Sequence, residues 1–81
     1  MGMEGQLREL VAELLNVSAN EISDASSPLT LPTWDSLNHL KLIVAIEERF
    51  GVTFTTPEVV DIGNYGDLKQ RLRAKGLALG A

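Results

Sequence analysis

The chain has 81 residues, a formal net charge of −4, a hydrophobic fraction of 44% and no cysteine. One domain is the ceiling at this length, and such a domain buries only about 60–65% of the surface its unfolded chain exposes. Without cysteine there is no disulfide, thiolate metal site or cysteine nucleophile, and a single histidine leaves little metal or acid–base chemistry, so a self-contained enzyme is not expected. The acidic balance disfavours nucleic acid as a partner. The longest aliphatic run, Leu42 to Ile46, is far short of the roughly 20 residues that span a membrane. No basic stretch followed by an apolar run opens the sequence, so a cytoplasmic setting is expected.

Residues 1–3 read as an added or unordered start. Residues 4–16 predict a first helix, because Leu7, Leu10, Val11, Leu14 and Leu15 recur at helical spacing with charges between them. Val17 through Asp35 form a long connection rich in Ser, Thr, Asp and Pro, stiffened by Pro28 and Pro32 and anchored by Ile22, Leu29 and Leu31. Asp35 is placed to cap a second helix from Ser36 to about Phe50, which Gly51 stops. After a short extended link, Thr56 and Pro57 read as the cap and first residue of a brief helix ending near Ile62 and Gly63. Asn64 caps a final helix with Asp67 in its first turn and Tyr65, Leu68 and Leu72 facing inward, and Gly76 ends it. The prediction is an all-α four-helix bundle with a long loop between helices 1 and 2, a short third helix, one domain over 4–76 and a flexible tail over 77–81.

Charge is unevenly spread. All eleven acids lie within residues 1–68, whereas Lys69, Arg71, Arg73 and Lys75 crowd the last helix. That basic end is either a solvated helix face with cations near a helix C-terminus or an electrostatic footprint for a partner.

The second helix has two apolar arcs. Leu42, Ile43, Ile46 and Phe50, with His39, face the bundle. Leu37, Leu40 and Val44 face another way, beside Lys41, Glu47 and Glu48. Either a neighbouring segment covers this second stripe, or it is an exposed docking surface rimmed by charge. Ser36 opens the helix, where the dipole and unpaired N–H groups favour a phosphodiester. As a catalytic nucleophile it could reach only His39, three residues on, with no orienting acid or oxyanion hole in sight. A plain helix cap is the other simple role.

The tripeptide Asp35-Ser36-Leu37 follows a Pro-containing loop and opens a helix reading Leu-Ile-Val-Ala-Ile-Glu-Glu-Arg-Phe-Gly. A short helix and a final helix beginning Asn-Tyr-Gly-Asp-Leu come after it. Over roughly residues 5–75 this order resembles the acyl carrier protein family. The resemblance implies a non-enzymatic carrier with 4′-phosphopantetheine, derived from coenzyme A, on Ser36, flanked by Asp35 and Leu37. It also implies acyl groups held as thioesters, a phosphopantetheinyl transferase and acyl-loading and acyl-processing enzymes as partners, and a monomer. Partner contacts are expected at Trp34, Leu37, Leu40, Lys41, Val44, Glu47 and Glu48, and an acyl pocket at His39, Leu42, Ile43 and Ile46.

Three residues depart from the pattern of fatty-acid carriers. Trp34 stands where a small residue is common, and Asn38 and Lys41 stand where acids are expected on the outer face. Trp34 either packs the loop against the helix start or touches a partner. With His39 on the inner arc, these departures point to a dedicated carrier for a specialised, polyketide-type or secondary-metabolite pathway with a short or polar acyl unit, or else to a fatty-acid carrier. Aminoacyl and peptidyl carriers share the fold and modified serine but more often show a Gly-Gly-His/Asp-Ser-type motif. An unmodified helical interaction module is the alternative from another class.

Overall fold

The computed structural model describes residues 3–79, and these form four helices: α1 (Met3–Leu15), α2 (Ser36–Phe50), α3 (Thr56–Asp61) and α4 (Tyr65–Ala74). No strand occurs among the described residues. The expected stripe of α1 divides as helical geometry requires, with Leu7, Val11 and Leu15 buried and Leu10 and Leu14 partly so. These pack with Leu42, Ile43 and Ile46 of α2 and Tyr65, Leu68 and Leu72 of α4 into one core. Asn16 leaves α1 through the left-handed region at φ 59, a conformation that asparagine tolerates better than most residues. Gly51 does the same after α2 at φ 68, where a side chain would be strained.

The long connection is ordered by its own polar side chains and by the start of α4. A 3₁₀ turn at Ala19–Glu21 is closed by the Glu21 carboxylate, which accepts from Ser18 N–H at 2.8 Å. Two tighter turns follow at Ser23–Ser26 and Ser27–Thr30, each with a hydroxyl accepting a backbone N–H. The carbonyls of Ser26 and Asp24 then accept from the N–H groups of Tyr65 and Gly66, at 2.9 and 3.0 Å. Two donors that helix geometry leaves unpaired at the start of α4 are thereby satisfied by the loop. The approach is close enough that a Cβ on Gly66 would stand 3.2 Å from Asp24 O.

Tyr65 joins the two ends of the chain. Its hydroxyl donates to Glu4 Oε2 at 2.7 Å, and the Arg8 guanidinium and Lys69 ammonium lie 5.7 and 5.3 Å from its ring centre. Burial first, and the Glu4 carboxylate second, push the Tyr65 hydroxyl above its ordinary pKa, while that same hydrogen bond holds Glu4 below its own. Arg8 also donates to the carbonyl of Ile22, and Lys69 pairs with Asp24 at 2.6 Å, so this cluster fastens the loop to α1 and α4.

Several sequence expectations are corrected. Leu29 does not anchor the loop. It is 97% exposed, because it is the third residue of the Ser27–Thr30 turn, whereas Ile22 and Leu31 are buried as expected. The cap of α3 is Thr55 rather than Thr56, with Thr55 Oγ1 accepting from Glu58 N–H and the Glu58 carboxylate accepting from Thr55 N–H at 2.8 Å. Of the expected start and tail, residues 1, 2, 80 and 81 lie outside the described residues. Met3 opens α1, Leu79 is buried, Leu77 packs on the core, and Leu79 O accepts from Glu4 N–H, so 77–79 are no flexible tail.

Glu58 makes a testable acid-sensitive joint. The Thr55 N–H first, and the Lys75 ammonium at 2.9 Å second, lower its carboxyl from the ordinary 4.5 to about 2. A carboxyl lowered on folding stabilises fully above its unfolded value, and this contribution is lost as pH falls from about 4.5 towards 2. Glu58→Gln is therefore expected to be less stable than the unsubstituted chain at pH 6, with the gap closing towards pH 2. Urea melts across that range check it, and a gap constant with pH would assign the effect elsewhere.

Candidate functional site

The site begins with the cap of α2. Asp35 is extended and its Oδ1 accepts from Asn38 N–H at 2.8 Å, so the helix starts at Ser36. Asn38 reaches back and donates to Thr33 O at 2.7 Å, fixing the loop's entry angle. Ser36 is thus the exposed first residue of a 15-residue helix. The N–H groups of Ser36 and Leu37 have no partner among the described residues and are left to solvent or a ligand, at the positive end of the dipole.

Ser36 opens on a cleft of about 510 Å³ between α2, α3 and the loop. Its floor comes from Trp34, His39 and Leu40. Its far wall comes from Val59, Val60 and Ile62, which the sequence places in a brief helix without assigning them to the pocket. Their Val-Val-x-Ile spacing beside a Pro-started helix was the available signal. Leu42, Ile43 and Ile46, expected as acyl pocket, line no part of the cleft: they are core, at most 4% exposed. A helical wheel gives direction and not depth, which is why the core and the pocket were merged.

Trp34 resolves to the packing role. At 1% exposure its ring is held inside, and it offers a partner no surface in this conformation. Its indole N–H donates to His39 Nδ1 at 2.9 Å, with the two rings 6.1 Å apart and 23° from parallel. Because Nδ1 accepts, the proton sits on Nε2, which donates to Val59 O at 2.9 Å. Both nitrogens of His39 are therefore partnered.

On the outer face Leu37, Leu40 and Val44 are 61%, 55% and 53% exposed. Lys41, Ala45 and Glu48 border Leu40 and Val44 in a shallow depression of about 360 Å³. Glu47 is turned instead to structure, accepting from Phe54 N–H at 2.8 Å and tying the link after α2 back to it. The two arcs predict opposite mutational behaviour. Ile46→Ala should cost about 2–5 kcal/mol, the range for a buried aliphatic side chain, whereas Leu37→Ala and Val44→Ala should stay within about 0.5 kcal/mol. Denaturant midpoints measure all three, and large losses at Leu37 and Val44 would reverse the arcs.

An exposed serine at the start of a long helix, beside an apolar cleft and an uncovered apolar stripe, has the attributes of a tethering site: a reachable nucleophilic oxygen, shelter for a cargo and a surface for partners. The residues fit a phosphodiester-linked arm, since Ser36 is exposed and the cap of α2 is made by Asp35 and not by the serine hydroxyl. The phosphopantetheine attachment site family matches residues 5–72. The acyl carrier protein of Helicobacter pylori (strain G27) is 31% identical over 78 residues, covering 96% of this chain and all of the relative. A non-reducing polyketide synthase of Emericella nidulans is 33% identical over 66 residues, 82% of this chain but 3% of that enzyme. The solution structure of a holo acyl carrier protein from Geobacter metallireducens superposes with a TM-score of 0.74 at 25% identity, covering 89% of this chain and 87% of that one. The class is therefore that of helical prosthetic-group carriers rather than enzymes. Within it, the chain belongs to the acyl carrier protein family, whose prosthetic group is covalent 4′-phosphopantetheine. No described helix is long and apolar enough to cross a membrane.

Proposed function

We propose that Ser36 bears the phosphopantetheine arm and that α2 presents its acyl cargo to partner enzymes through Leu37, Leu40 and Val44, with Lys41 and Glu48 setting the orientation of docking. The observation that carries this reading is the position of Ser36, exposed at the first turn of α2 and opening onto the cleft lined by His39, Leu40 and Val59. When bound, the group supplies a flexible arm ending in a thiol that holds the acyl unit as a thioester. The chain's own part is to present one hydroxyl, keep its helix start rigid through Asp35 and Asn38, and offer the cargo apolar cover. An arm attached by a phosphodiester is further favoured by the helix dipole.

The cargo is a short or polar acyl unit of a specialised pathway. An open cleft with half-buried His39 in its floor supports it, and so does an outer face carrying Lys41 and Asn38 rather than a run of acids. The partners are a phosphopantetheinyl transferase and enzymes that load and process the acyl unit. Incubation with coenzyme A and a phosphopantetheinyl transferase, followed by peptide mass spectrometry, is expected to find one added phosphopantetheinyl group on the peptide containing Ser36. An unmodified chain would favour a plain helical interaction module instead.

A further inference from the structure

His39 stands one turn beyond Ser36 on α2 and one turn before Leu42 and Ile43. Along the seam between α2 and α3 it therefore lies between the cleft and the packed interior. Both of its bonds are hard to give up. The Trp34 donor is on a side chain held at 1% exposure, so the indole has no solvent to turn to. The acceptor, Val59 O, is among the last four carbonyls of α3, and the Gly63 N–H that helix geometry would offer it is taken by Asp67 Oδ2 at 3.1 Å. Opening the His39 bridge leaves a carbonyl and a ring nitrogen unpaired in a half-buried place.

We infer that His39 sets how much of an acyl chain this carrier can cover, by bolting α3 to α2 across the seam. The inference rests on attachment at Ser36. Short acyl groups lie against Leu40, Val59, Val60 and Ile62 without disturbing the bolt. A longer chain reaches Leu42, Ile43 and Ile46 only by pushing the ring off Val59, and the broken bonds offset the gain from burying several methylenes. His39 is thus a specificity-determining residue that acts through the position of α3.

The test loads the protein from acetyl-, butyryl-, hexanoyl-, octanoyl- and decanoyl-coenzyme A with a phosphopantetheinyl transferase, confirms each product by mass, and records thermal melts. A fully covered methylene should raise Tm by about 3–6 °C in a domain of this size. The expected series rises over the shortest chains and then levels off, while the Trp34 indole proton keeps its NMR position throughout. His39→Leu should remove the plateau, and His39→Gln, which keeps a donor near the place of Nε2, should restore it. If His39→Leu does not fold, the unsubstituted series still decides: a steady rise through decanoyl overturns the bolt. So does the same plateau in a folded His39→Leu. Absence of any mass gain at Ser36 overturns the attachment reading and this inference together, whereas full loading without a plateau overturns the inference alone.

Discussion

Ser36→Ala is expected to abolish attachment of the phosphopantetheine arm while leaving stability within about 0.5 kcal/mol of the unsubstituted chain. The side chain is exposed and the helix is capped by Asp35, whose Oδ1 holds Asn38 N–H, so the hydroxyl has no structural duty to lose. Asp35→Ala is the opposite control. It keeps the hydroxyl but removes the cap, at a cost of about 0.5–2 kcal/mol. Intact mass after incubation with coenzyme A and a transferase reads the first effect, and denaturant melts read the second. A Ser36→Ala protein that still gains the group would move attachment to Ser18, Ser23, Ser26 or Ser27, all in the connection before α2. Ser26 is the poorest of these, buried with its hydroxyl already accepting from Ser23 N–H.

The helices were legible because their signals are local. Apolar spacing marked α1 and the inner arc of α2, and the side chains of Asp35 and Asn64 capped the helices they were expected to cap. The cap of α3 was also written in the sequence, as Thr55-x-x-Glu58, but the adjacent Thr56-Pro57 offered a competing start one residue later. What could not be read was anything set by one element lying against another. Leu29 looks like an anchor until the turn around it points it outward. His39 shows no partner in the sequence for its Nε2, because Val59 O comes to it from α3, 20 residues on. The basic end is similar: Lys69, Arg71 and Lys75 pair with Asp24, Asp61 and Glu58, from the long connection and from α3. Of the three, only the Arg71–Asp61 pair is exposed on both sides and so adds little stability by itself. These three cations are engaged by the chain's own carboxylates rather than left as a solvated face.

Trp34→Ala is expected to be the most damaging single substitution near the site, at about 3–5 kcal/mol, because it empties a fully buried aromatic volume in a small core. Domains of this length have only about 4–12 kcal/mol of stability in total, so the variant sits near the threshold of folding. The more informative change is Trp34→Phe. It keeps most of the buried ring but removes the indole N–H, leaving His39 Nδ1 without its donor, at about 1–3 kcal/mol. The two variants separate packing from the hydrogen bond by equilibrium unfolding. If Trp34→Phe were neutral, the indole–imidazole bond would contribute nothing and the tryptophan would act by volume alone. If its cost matches the range expected for an orphaned buried acceptor, then the residue before this Asp-Ser-Leu is there to hold His39. Besides its place in the floor of the cleft, Trp34 would then act on the cargo through a chain of two bonds, from the loop to α2 and from α2 to α3.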